Sequence, residues 1–183
     1  MKISTKRVIL IGGLGILLLF LGVTWFYPYS FLSLKKSVTY EPYVVAVKDY
    51  RKMVDEFKQR YEANDKIQPV LALYEQTWLL SEKNVEMTVE DIDVMLKKVK
   101  EARSSLLQLD LGSISPYEIE DRNILLGNCD SFEKDLESIK KHKTHSRMKI
   151  DREYHNLMAG FMTSVHVFIE FYEIYEKGEE HTE

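Results

Sequence analysis

A chain of 183 residues, 45% apolar and 30% charged, has globular composition and room for one ordinary domain besides a short extra segment. Five of its 25 basic residues and none of its 29 acidic residues lie in positions 1–36, so residues 37–183 carry about −9, which argues against nucleic acid as a partner. The single cysteine, Cys129, cannot close an internal disulfide, so the fold stands on its core rather than on a disulfide framework.

Val8 to Phe26 is free of charge and rich in leucine and isoleucine. At 1.5 Å per residue it spans ~28 Å, close to the ~30 Å hydrocarbon core of a bilayer. Lys2, Lys6 and Arg7 precede it, and Pro28 marks the end of the helix. Trp25, Tyr27 and Tyr29 follow as interfacial anchors, together with Phe31. A cleaved signal peptide shares the charged start. However, its apolar region is usually only ~7–15 residues long, and no small-residue cleavage pair follows cleanly here. The segment therefore reads as an uncleaved anchor. Lys35 and Lys36 on the far flank are fewer than the basic residues before the span, so the positive-inside rule puts residues 1–7 in the cytoplasm as a stub. Residues 30–183 then lie outside the cell membrane in a single-pass arrangement. Gly12, Gly13, Gly15 and Gly22 lack GxxxG spacing, which leaves a homo-oligomer open but unsignalled.

Residues 27–40 read as a juxtamembrane linker, and 41–177 as a helical domain. A first helix is expected over 41–64, with Pro42 in its first turn and a stripe of Val47, Tyr50, Val54, Phe57 and Tyr61. A second is expected over 66–83, opened by a capping box of Asp65 and Gln68 with Pro69 in the first turn. The alternative is one long helix kinked at Pro69. The third starts at Thr88-Val89-Glu90-Asp91 and ends before Gly112; its stripe is Val89, Ile92, Leu96, Val99 and Leu106. The fourth begins at Ser115-Pro116-Tyr117-Glu118 and carries Leu125, Cys129, Phe132, Leu136 and Ile139. The fifth covers 147–177, with Ile150, Tyr154, Leu157, Phe161, Val165, Phe168, Tyr172 and Tyr175 on one side. Residues 178–183 are expected to be a disordered tail. No strand-like run competes. The fold class expected is all-α: an N-terminal transmembrane helix followed by an antiparallel bundle of four to five helices.

No pattern of catalytic, cofactor or metal-binding residues emerges. His142 and His145 are three apart, as two ligands on one helix face would be, but the surrounding lysines would repel a cation. No histidine has the Glu-x-x-His spacing of a di-iron bundle. Cys129 sits on an apolar stripe beside Asp130, the setting of a small buried hydrophobe rather than a nucleophile. Lys140, Lys141, Lys143, Arg147 and Lys149 crowd the turn between the fourth and fifth helices of an otherwise acidic domain. If the helices alternate in direction, that turn returns to the headgroups and can contact an anionic membrane surface.

These features lead to a non-enzymatic expectation. The chain is read as a membrane-anchored extracytoplasmic interaction or sensing module, acting through an unidentified membrane or envelope protein. The bilayer is its other partner. The alternative is a helical bundle that binds a small ligand in an apolar or aromatic cavity. The anchor is tested by washing membranes with high salt and with carbonate: the protein stays in the pellet, and its mature N-terminus precedes Trp25. Protease added to spheroplasts removes the domain; full protection would reverse the orientation.

Overall fold

The computed structural model of the protein describes residues 5–61, 65–109 and 116–180. These residues form seven helices and one two-stranded sheet, so the protein is mostly helical. The apolar run becomes α1, Thr5–Phe26. Its side chains from Ile9 to Leu21 stand clear of the rest of the protein, as a helix solvated by lipid would require. It is long and apolar enough to span a membrane. Arg147–Glu176 passes the same test of length and composition, but nearly half of that stretch is buried in the protein. It is the core helix of the domain.

The chain then departs from the linker expected over 27–40. Residues Ser37–Tyr40 form strand β1, which pairs antiparallel with β2, Val85–Thr88, in the register Val38 to Met87 and Tyr40 to Val85. A two-stranded ribbon is marginal by itself. This one is fixed because Val38, Tyr40 and Met87 are buried against the helices. The expectation that no strand competes is corrected accordingly. Four residues per strand are too few for a period of two to stand out in sequence.

α2 covers Val44–Arg60 and buries Val47, Tyr50, Val54 and Phe57. It stops short of the expected end at Asn64, which lies outside the described residues, because Tyr61 is already extended (φ −127°, ψ 135°). The expected box of Asp65 and Gln68 does not form. Ile67 is the N-cap of α3, Gln68–Tyr74, and no side chain caps it. The chain therefore turns between α2 and α3 rather than kinking one long helix at Pro69. The expected helix over 66–83 is also broken, into α3 and α4, Thr77–Leu80. Competing donors account for the break. Gln76 Nε2 donates to the Leu73 carbonyl at 2.8 Å, and the Tyr50 hydroxyl donates to the Tyr74 carbonyl at 2.9 Å. Those are the two carbonyls a continuing helix would offer to residues 77 and 78.

α5, Val89–Gln108, starts with the capping box the sequence shows: Asp91 N donates to Thr88 Oγ1 at 3.1 Å, and Thr88 N donates to Asp91 Oδ2 at 2.8 Å. α6 runs Pro116–Lys141; the expected cap Ser115 and stop Gly112 lie outside the described residues. α7 runs Arg147–Glu180, so residues 178–180 continue the helix instead of opening the expected disordered tail. Residues 181–183 lie outside the described residues.

Paired residues give the directions. Asp93 meets Lys140, Lys100 meets Glu133 and Arg103 meets Asp130, so α5 and α6 are antiparallel. Asn128 meets Ser164 and Phe132 meets Phe161, so α6 and α7 are antiparallel too. Tyr43 meets His155 and Arg60 meets Glu173, so α2 runs parallel to α7. One end of the domain thus gathers the end of α1, both strands, the start of α5 and the α6–α7 turn.

The core is aromatic and centred on α7. Phe161 is fully buried; it stacks on Phe132 with centroids 4.1 Å apart and receives Trp78 and Tyr74 edge-on at 5.8 and 6.3 Å. Phe161→Ala should therefore lower unfolding free energy by ~3–5 kcal/mol in denaturant titration, and a loss below ~1 kcal/mol would misplace it. Two glycines give opposite signs. A Cβ at Gly160 would meet the Phe132 ring at 3.0 Å, and that ring is clamped by Phe161, so Gly160→Ala destabilises. A Cβ at Gly127 meets nothing within 4 Å, so Gly127→Ala stabilises α6 by ~0.5–1 kcal/mol.

Candidate membrane-proximal site

The chain leaves α1 through Pro28 and turns back toward the domain. Leu34 N donates to Thr24 Oγ1 at 3.1 Å, which folds the turn of residues 27–34 against the last turn of α1. Tyr29, expected as an interfacial anchor, points inward instead and is 4% exposed. Its hydroxyl donates to the Met87 carbonyl of β2 at 2.8 Å, so its oxygen is left to accept from the Tyr154 hydroxyl at 2.9 Å. Burial, first of all, raises both phenols far above the ordinary tyrosine range, so both stay protonated and the chain of bonds is intact. Trp25 and Tyr27 do stand exposed.

The α6–α7 turn closes on the same place. Arg147 Nε donates to the Trp25 carbonyl at 3.0 Å, and its guanidinium lies 5.3 Å above the Trp25 ring. α1 offers that carbonyl because no residue continues the helix to take it. Arg147 supplies both the hydrogen bond and a positive charge at the helix C-terminus.

The five basic residues singled out in the sequence fare differently. Lys140 pairs with Asp93 of α5, and Lys141 with Glu137 one turn back at 2.5 Å. Lys149 Nζ donates to His145 Nε2 at 2.8 Å, which leaves the Nδ1 proton of that ring for Glu153 Oε2 at 3.3 Å. Arg147 is committed to Trp25. The Lys143 ammonium pairs with no described carboxylate.

Lys143 and Thr144 form one rim of a groove of about 410 Å3 whose other walls are Val23, Tyr27, Ser30, Phe31 and Leu32. The Ser30 hydroxyl is buried and has no partner among the described residues. Phe31 and Leu34 are 76% and 73% exposed, and Met148 of α7 is 77% exposed. Large apolar side chains in water on this end of the domain are costly, whereas at a bilayer surface they are not. A larger groove of about 820 Å3 between α5 and α6 is lined with charge of both signs. There Lys140 pairs with Asp93, Lys141 with Glu137 and Lys97 with Glu101, whereas Lys143, which lines this groove as well, pairs with no described carboxylate.

The other candidates resolve into structural roles. The His142 and His145 rings stack with centroids 4.4 Å apart, and His142 Nδ1 donates to the Ser138 carbonyl at 2.8 Å. Among the described residues no group of three potential ligands is placed to hold a metal ion. Cys129 is buried, and burial, with Asp130 next, pushes its thiol up to about 12. His155 lies between Tyr40 and Tyr43, with centroids at 5.0 and 4.6 Å, and its Nε2 is 3.7 Å from Asp151. Around Phe161 the rings of Tyr74, Trp78 and Phe132 are in contact with it.

No family model, curated protein or solved structure matches the chain. The class is therefore defined by the fold and the site alone: a mostly helical protein whose N-terminal helix is long and apolar enough to cross a membrane and is hydrogen-bonded to the domain that follows.

Sequence reasoning missed Tyr29 as a core residue because a tyrosine just beyond an apolar span has the composition of an interfacial belt. The spacing to its partners, 58 and 125 residues away, leaves no local signal. The consequence is measurable. A fragment of residues 27–183 resists denaturant better than one of residues 37–183, and Tyr29→Phe in the longer fragment removes ~1–3 kcal/mol by leaving Tyr154 and the Met87 carbonyl unsatisfied. Equal stability of the two fragments would make 27–36 a free linker.

Proposed function

We propose that this chain is a single-pass membrane protein that holds a non-enzymatic helical interaction module at a fixed attitude on the outer surface of the cell membrane. It acts there on a membrane or envelope protein. The observation that carries the reading is the junction: Arg147 grips the Trp25 carbonyl, and Tyr29 ties the next residues to β2 and α7. A flexible tether would let the domain roam a layer above the bilayer. A bonded junction instead presents the same face sideways to every neighbour, which favours recognition of a partner that is itself oriented in the membrane. An exposed apolar face stands ready for such a contact at the start of α2, where Tyr43 and Val45 are 70% and 75% exposed and Val44 is exposed beside them.

The test is site-specific photocrosslinking in intact cells from Val45, with Lys97 on α5 as the comparison position. A discrete adduct with one membrane or envelope protein from Val45, and none from Lys97, is the expected result. Adducts from neither position, or a smear of unrelated proteins from both, would remove the interaction reading while leaving the anchor intact.

A further inference from the structure

We infer that the groove between the end of α1 and the α6–α7 turn binds one anionic phospholipid of the leaflet that α1 leaves. The inference rests on the proposed reading of α1 as a membrane span. Val23 lies three residues before the end of α1, ~4.5 Å down the helix axis, so the groove begins at the depth of the first acyl methylenes and rises to headgroup level.

The two sides of the groove select the ligand together. Val23, Phe31 and Leu32 form an apolar wall that a small aqueous anion has no use for. Lys143 and Thr144 on the opposite rim bring a positive charge and a hydroxyl that a neutral hydrocarbon chain has no use for. An amphiphile with a negative head satisfies both, and at this depth the abundant one is a phospholipid. Its phosphodiester oxygens accept from the Lys143 ammonium and the Thr144 hydroxyl.

Lys143 is suited to this by what its neighbours do. Lys140, Lys141, Arg147 and Lys149 are each engaged with described groups of the protein, and Lys143 is not. In a domain that carries about −9, an ammonium with no partner among the described residues, set on an apolar groove, is a place where an anion gains. The volume, about 410 Å3, lies in the range of ligand clefts and accepts a headgroup with the upper part of one chain, while the remaining chain lies along α1 in the bilayer.

The experiment uses the full chain in nanodiscs that mix phosphatidylcholine with phosphatidylglycerol, followed by native mass spectrometry of the released protein. The expected result is one retained phosphatidylglycerol per chain. K143E should lower that adduct by fivefold or more, on the order of the ~1 kcal/mol per basic residue at an anionic surface. Phe31→Ser weakens retention as well, and K52E, on the exposed face of α2, leaves it unchanged. Equal retention by the wild type and K143E, or by neither, overturns the site. So does displacement of the adduct by inorganic phosphate, which would make it a free-anion site. Failure of the chain to enter nanodiscs at all would instead refute the membrane span, and is read separately from the protein recovered in the discs.

Discussion

The α1 junction, β1, α2, α3, α4 and α6 all meet one face of α7, while α5 packs on α3 and α6. Tyr154 is touched by Tyr29 from the α1 junction and by Tyr40 from β1; Phe161 by Phe132 from α6 and Trp78 from α4; Phe168 by Phe57 from α2 and Tyr74 from α3. These rings recur every seven residues, close to two helical turns, so they lie in a row along a single side. Aromatic side chains each bury a large area and prefer edge-on or offset contacts, so a row of them fixes both how near and at what angle a neighbour may lie. Tilted and edge-on geometries dominate the contacts along the row, with the Phe132–Phe161 and Tyr74–Phe168 stacks as flat exceptions. Among the polar ends of these residues, the Tyr74 hydroxyl reaches Ser164, whereas the Tyr40 hydroxyl and Trp78 Nε1 are buried without a partner among the described residues.

The row also explains how the apolar N-terminal helix is joined firmly to the domain that follows. Tyr154 sits two turns from the start of α7, so the element that organises the core also presents a buried hydroxyl to the chain leaving α1. Two turns earlier, at the first residue of the helix, Arg147 reaches the Trp25 carbonyl in the last turn of α1. The two contacts lie on the same helix, so disturbing the packing of α7 also disturbs how the domain sits on α1.

The basic turn shows why a charge cluster in sequence is not a charge cluster in space. Lys140, Lys141, Lys143, Arg147 and Lys149 lie within ten residues. Folding gives one to α5, one to its own helix, one to α1 and one to a histidine. What is left is a local positive site at Lys143 rather than a broad patch, and its character comes from the apolar wall that residues 23–32 set beside it.

The sequence by itself determined the elements whose signals are local and long. The charge-free run of α1, the Thr88–Asp91 box and the seven-residue aromatic repeat of α7 are each readable because helical period and capping chemistry act within a few residues. Tertiary structure decided whatever depended on a partner far along the chain. Residues 37–40 and 85–88 became strands only because each supplied the other's hydrogen bonds, with α7 packed on β1 and α5 on β2. The expected helix over 66–83 broke because Tyr50, from another helix, took a carbonyl that the helix needed. Tyr29 turned from the interface to the core because Met87 and Tyr154 offered it two hydrogen bonds in a dry site. In each case the free energy at stake lies in contacts between segments, and a local pattern carries no record of them.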